Sequence, residues 1–119
     1  MVAARTGILA IALLAAGQAA AQGFTTAAEV KPILEATRAN WIAVREWDGN
    51  DLIYFTHLES WRCGLSEVRY AVNGGVEQIW PMDPCFEDTA QPNAIAADRL
   101  PYTVLPLKSV ESVTVTVVS

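Results

Sequence analysis

The chain has 119 residues, a formal net charge of −5 and 52% hydrophobic residues. This length fits a single domain, and the acidic balance excludes a nucleic-acid-binding protein that works through a basic face. The hydrophobic content also excludes a polar, disordered tail.

Residues 1–21 have the three parts of a secretory signal peptide. Arg5 supplies a positive charge, residues 8–16 form an unbroken apolar run, and small residues at 19–21 precede a cleavage site before Gln22. The apolar run is shorter than a membrane-spanning helix requires. We therefore expect cleavage and a single exported domain over residues 22–119, without a membrane span. It would be periplasmic in a Gram-negative host and secreted otherwise.

The next predicted element is an N-terminal amphipathic helix over residues 27–39. Thr26 and Glu29 fit a capping box, and apolar residues follow at helical spacing. Pro32 would remove one hydrogen bond inside the helix, so the helix could instead begin at Pro32. Both interpretations place a helix before the first strand.

From Trp41 onward the apolar period changes to two, which predicts strands. The predicted strands are residues 41–47, 52–58, 65–72, 76–80, 102–107 and 113–117. Turns at 48–51 and 73–75 would join the first two pairs as hairpins, and Pro106 would confine the fifth strand to an edge. Strand 52–58 is apolar on both faces, so we place it mid-sheet. The predicted fold class is α+β, with the N-terminal helix packed on an antiparallel sheet of five or six strands.

Residues 81–101 are expected to form a long irregular loop. The segment contains four prolines, and its acidic residues are Asp83, Glu87, Asp88 and Asp98. A loop of this length in a small domain is often functional.

Cys63 and Cys85 are the two cysteines of the chain, 22 positions apart. In an oxidising compartment, such a pair in a short chain predicts a structural disulfide. Zinc binding and free thiols are the alternatives. The nearby side chains that could ligate zinc are His57, Asp83, Glu87 and Asp88. Because neither cysteine has the spacing of a zinc motif, we predict the disulfide and no metal or other cofactor.

The sequence gives little support for catalysis. His57 is the single histidine and could act as a base, but one histidine in a strand is more often a packed side chain. The carboxylates show no pair at a defined separation, and no nucleophile-elbow, zinc-protease or nucleotide-binding motif occurs. We assign no catalytic residue.

The aromatic residues suggest binding. The four tryptophans are Trp41, Trp47, Trp61 and Trp80. A tryptophan-rich core is the simplest explanation, but Trp61 or Trp80 exposed beside the loop would suit a protein or glycan partner. On this hypothesis, the binding residues are His57, Trp61, Arg62, Trp80, Asp83, Glu87 and Asp88.

Three segments resemble a group of short exported bacterial proteins of unknown function. They are residues 41–46 (WIAVRE), 55–64 (FTHLESWRCG) and 87–95 (EDTAQPNAI). The resemblance implies export, and it implies no activity or catalytic residue.

These observations favour an exported binding or accessory module that acts on an envelope partner through residues 80–88 and the adjoining strand end at 57–62. A second hypothesis is a metal-dependent or hydrolytic enzyme that uses His57 with Asp83 or Glu87. A third is a structural subunit of an envelope complex whose last strand completes a neighbour's sheet.

Overall fold

The computed structural model describes residues 23–119, so the predicted signal peptide lies outside the described residues. The helices are α1 (Ala27–Ala36) and α2 (Thr56–Glu59), and the 3-10 turns are Arg38–Asn40 and Arg62–Gly64. The strands are β1 (Ala43–Trp47), β2 (Asn50–Tyr54), β3 (Glu67–Val72), β4 (Gln78–Ile79), β5 (Tyr102–Pro106) and β6 (Val113–Val118). Within residues 23–119, no helix is long and apolar enough to cross a membrane.

The α+β class is confirmed, but the single sheet of five or six strands is wrong. The strands form two antiparallel three-stranded sheets, in the orders β1-β2-β5 and β4-β3-β6. The last two strands belong to different sheets, since β5 pairs with β2 and β6 pairs with β3. The buried carboxylate of Asp51 holds the connection between them by accepting the backbone N–H groups of Lys108 and Val110 at 2.9 and 3.0 Å.

The two hairpin turns form where glycine permits a positive φ. Asp48 and Gly49 have φ values of 52° and 76°, and Asn73 and Gly74 have values of 54° and 69°. Consecutive residues of this kind match the twist of the flanking strands. The β1–β2 hairpin therefore closes with Trp47 paired to Asn50.

Helix α1 is three residues shorter than predicted and does not lie on a large sheet. The Thr26 hydroxyl accepts the Glu29 backbone N–H at 3.2 Å and donates to its carboxylate at 2.8 Å, so the capping box forms. Pro32 lies inside the helix. The helix packs on the turn Arg62–Gly64, where a Cβ on Gly64 would overlap Val30. Glycine at position 64 therefore permits this close approach.

The predicted strand 52–58 ends early, at Tyr54. The Phe55 backbone N–H donates to Pro101 at 2.7 Å, and the Phe55 carbonyl accepts the N–H of Glu59 at 2.9 Å. These bonds turn the chain into α2, so residues 57–62 form a helix and turn rather than a strand end. The hydrophobic core lies between α1, α2 and both sheets, and its residues are Val30, Leu34, Ile53, Phe55, Leu58, Val68, Tyr70 and Trp80.

Candidate functional site

Cys63 and Cys85 form the predicted disulfide, with a Cα–Cα distance of 4.9 Å. The bond fastens the loop of residues 81–101 to the 3-10 turn that follows α2. Among residues 23–119, no free cysteine is present. Because both sulfur atoms belong to the disulfide, neither cysteine provides a thiolate nucleophile at this site.

Arg62 is a buried support for the loop rather than a surface binding residue. Its side chain is 4% exposed and its guanidinium lies 4.8 Å from the centre of the Phe86 ring. It donates four hydrogen bonds of 2.7–3.1 Å to backbone carbonyls, those of Glu59, Pro84, Asn93 and Ala94. These bonds use four of the five N–H groups of the guanidinium inside the protein, and a direct contact between Arg62 and a partner stays a prediction.

Asn93 ties the same loop to two other segments. Its side-chain oxygen accepts the Cys63 backbone N–H at 2.9 Å, and its amide donates to the Phe24 carbonyl at 3.2 Å. The loop is therefore held at its disulfide, at Arg62 and at Asn93, which gives it a defined shape without regular secondary structure.

A buried ion pair holds the beginning and the end of the loop. Glu59 is 2% exposed, and its carboxylate accepts bonds from Trp80 Nε1 at 2.8 Å and from Arg99 Nη2 at 2.8 Å. The hydrogen bond to Glu59 raises the pKa of the Arg99 guanidinium above its usual value. Arg99 also donates to the Pro81 carbonyl. Sequence analysis missed this pair, because nothing in the spacing of two charges 40 residues apart indicates that they meet.

The exposed tryptophan differs from those that the binding hypothesis proposed. Trp80 is 8% exposed and stacks on Phe55 at 4.2 Å, so its expected exposure beside the loop is wrong. Trp61 is partly buried and meets the Phe24 ring edge to face at 5.2 Å. Trp47 is 58% exposed, with the Arg45 guanidinium 4.4 Å from its ring centre.

The loop forms one wall of a cleft of about 440 Å³, which we call the acidic cleft. Its carboxylates are those of Glu67, Asp83 and Glu87, of which Glu67 lies 3.4 Å from Arg69 Nε, and Ile79 and Met82 provide apolar surface beside them. Arg62, Trp80 and the disulfide also line this cleft. Four of the seven predicted binding residues thus meet in one place, and the other three, His57, Trp61 and Asp88, do not line it.

His57 lines a separate cleft of about 560 Å³ together with Arg45 and Tyr54. The Thr37 hydroxyl donates to the Ile33 carbonyl at 2.8 Å, so it accepts the His57 Nε2–H at 2.9 Å. The two clefts share no lining residue. The structure therefore does not bring His57 together with Asp83 or Glu87.

Across the described part of the chain, residues 23–119, no group of three or more histidine, cysteine, aspartate or glutamate side chains could hold a metal ion. Comparison with protein-family models, with curated proteins and with solved structures finds no match to this chain.

Proposed function

We propose that this protein is a non-catalytic binding module that captures a basic, partly apolar segment of another envelope protein in the acidic cleft. The observation that carries the proposal is the meeting of three carboxylates, Glu67, Asp83 and Glu87, around a cleft whose wall is fastened by a disulfide and by buried Arg62. Export is part of the proposal. It is supported by the signal-peptide pattern at residues 1–21, by the disulfide and by the resemblance to exported proteins.

The chemistry of the cleft suits a lysine or arginine side chain. Carboxylate oxygens accept charge-assisted hydrogen bonds from both cations, and arginine can bind them in a bidentate manner. Ile79 is 60% exposed at the same cleft, and it would contact the aliphatic stem of the incoming side chain. The net charge of −5 would steer a basic partner towards the protein at low salt.

The supports of the loop favour binding by a preformed surface. A loop that must be ordered on binding loses affinity, whereas one already held in place does not. Here Arg62 donates to the loop carbonyls of Pro84 and Asn93, which lie on either side of Cys85. The Asn93 side chain attaches the loop to the backbone of Cys63 and Phe24. This arrangement supports recognition without a large change of shape.

The positions of the ionisable side chains make the enzyme hypothesis weaker than the binding hypothesis. Hydrolysis by His57 with Asp83 or Glu87 needs these groups within hydrogen-bond reach of one substrate. They line different clefts. Glu59, the most buried carboxylate near the loop, is already bonded to Arg99 and Trp80.

A peptide display experiment tests this proposal. The exported protein is immobilised and selected against random peptides, and we expect enrichment of lysine or arginine next to apolar residues. The double variant Asp83→Asn/Glu87→Gln should weaken an enriched peptide by at least about tenfold, because it removes two charge-assisted acceptors.

The matched control is Glu46→Gln/Asp48→Asn, which changes the net charge equally at two exposed positions that do not line the cleft. It should leave binding within about twofold at moderate salt. Enrichment of peptides without basic residues, or equal losses in both variants, would contradict the proposal.

A further inference from the structure

Each sheet has two edge strands, and three of the four carry features that discourage pairing with another chain. β1 places Arg45 and Glu46 on its edge, β5 ends in Pro106, and β4 has only two residues. Charges, proline and short length are the usual protections of an edge. β6 has six residues, VTVTVV, and none of these features. Among residues 23–119, β6 is therefore the edge strand that is open to pairing.

The backbone of β6 presents a regular set of free groups on its outer side. The Asn73 N–H donates to the Ser112 carbonyl at 2.8 Å, which fixes the hydrogen-bonding phase of the β3–β6 ladder. Bonded and non-bonded residues alternate in an antiparallel pair. Thr114 and Thr116 therefore direct their backbone groups towards β3, and Val113, Val115 and Val117 direct theirs to the open side.

The side chains of the same valines line an open groove. This groove, of about 530 Å³, lies between α1 and β6, and we call it the α1–β6 groove. Its apolar walls are formed by Leu34, Trp41, Ile42, Val113, Val115 and Val117. Val115 is paired with the buried Tyr70, so it lies on the core-facing side of the sheet. A further strand beside β6 would extend this apolar layer and cover the groove.

The sequence of β6 indicates which strand fits. From Val113 to Val117 it reads the same in both directions, valine alternating with threonine. If two copies pair antiparallel about Val115, Val113 of one copy lies opposite Val117 of the other, and Thr114 lies opposite Thr116. Every cross-strand pair then joins valine to valine or threonine to threonine, and all valines lie on the core-facing side. Such pairs are favourable in antiparallel sheets.

We propose that β6 is a dimerisation strand, which pairs with β6 of a second copy across a two-fold axis at Val115. The outward residues Val113, Val115 and Val117 would exchange about six backbone hydrogen bonds with the other copy. A two-fold contact of this kind is closed, because each copy uses its open edge once. The outer strand at the far side, β4, has two residues, so the combined sheet stops at six strands.

Dimerisation leaves the proposed binding site accessible. The α1–β6 groove and the acidic cleft share no lining residue. Each dimer would therefore present two acidic cleft sites, and the dimer proposal does not depend on the proposed function. A monomeric protein could still bind peptides in the acidic cleft, and a dimer could form without peptide binding.

Sedimentation velocity from ~1 µM to ~1 mM tests the dimer directly. We expect a reversible monomer–dimer equilibrium that reaches a plateau at two copies. The two exposed threonines allow a matched pair of variants. Thr114→Glu/Thr116→Glu sets like charges opposite each other across the axis and should abolish association. Thr114→Lys/Thr116→Glu sets opposite charges there and should retain it.

Both variants share Thr116→Glu, which lies opposite Arg69 on β3, so they differ only at position 114. Val115→Pro provides a third variant, since it removes an outward N–H without removing a bond to β3. It should also abolish association, with circular dichroism confirming the fold. A monomer at all concentrations, equal association of the two charged variants, or growth beyond two copies would overturn the proposal.

Discussion

Replacing Arg99 with leucine would leave the Glu59 carboxylate buried with only part of its hydrogen bonding. In the intact protein, Glu59 is 2% exposed and accepts bonds from Arg99 Nη2 at 2.8 Å, from Arg99 Nε at 3.2 Å and from Trp80 Nε1 at 2.8 Å. After the substitution only the tryptophan bond remains. Loss of one partner of a buried ion pair costs about 3–5 kcal/mol.

The lower part of this range applies here, because the Arg99 side chain is 19% exposed and water can approach from its side. We therefore expect the free energy of unfolding to fall by about 3 kcal/mol, a large share of the ~5–15 kcal/mol typical of a small domain. Adding Glu59→Gln should recover about 1–2 kcal/mol, since the amide removes the unpaired charge and still accepts the Trp80 N–H.

Urea unfolding followed by circular dichroism measures these differences, with equal slopes required for a comparison of free energies. Arg45→Leu is the control, because Arg45 belongs to the fully exposed strand β1 and its loss should change stability by no more than about 0.5 kcal/mol. A cost below about 1 kcal/mol for Arg99→Leu would mean that the pair behaves as a surface salt bridge. A double variant no more stable than Arg99→Leu alone would show that the unpaired Glu59 charge is not the cause of the loss.

Three further predictions concern Arg62, the disulfide and Asp51. Arg62→Met should lower the free energy of unfolding by about 3 kcal/mol in urea, because one buried and three partly buried carbonyls lose their donor; an unchanged midpoint would show that water replaces the guanidinium. Cys63→Ala/Cys85→Ala should lower it by about 3 kcal/mol by freeing a loop of 22 residues, and reduction of the wild type should give the same midpoint. The N–H groups of Val110 and Lys108 lower the pKa of Asp51. The stabilisation by this carboxylate should therefore be complete above pH ~5 and be lost as the pH falls below ~4. Asp51→Ala should thus be destabilised at neutral pH and converge with the wild type in acid, and a constant difference would contradict this.

The local features of this fold follow from short stretches of sequence. The capping of α1 by Thr26 needs only Glu29 three residues later, and both hairpin turns need only residues that accept a positive φ. The alternation of valine and threonine predicts β6 at residues 113–117, within one residue of the observed strand. The disulfide follows from the presence of two cysteines in a chain expected to be exported.

The acidic cleft was predictable only in part. Asp83 and Glu87 stand out because they lie in a proline-rich acidic loop, and the disulfide indicates where that loop is attached. The roles of Arg62 and Trp80 were not predictable, since an arginine and a tryptophan beside a loop can be exposed or buried. Their burial depends on carbonyls, a carboxylate and aromatic rings more than 20 residues away.

Short-range signals in the sequence thus predicted α1, both hairpin turns, β6 and the covalent link, because capping, turn and alternation signals act between residues a few positions apart. The division of the strands into two sheets and the contact between Glu59 and Arg99 appear only in the folded chain. The placement of His57 and the loop carboxylates in different clefts also appears only there. These outcomes depend on which distant segments pair and exclude water together, and no short pattern in the chain encodes that choice.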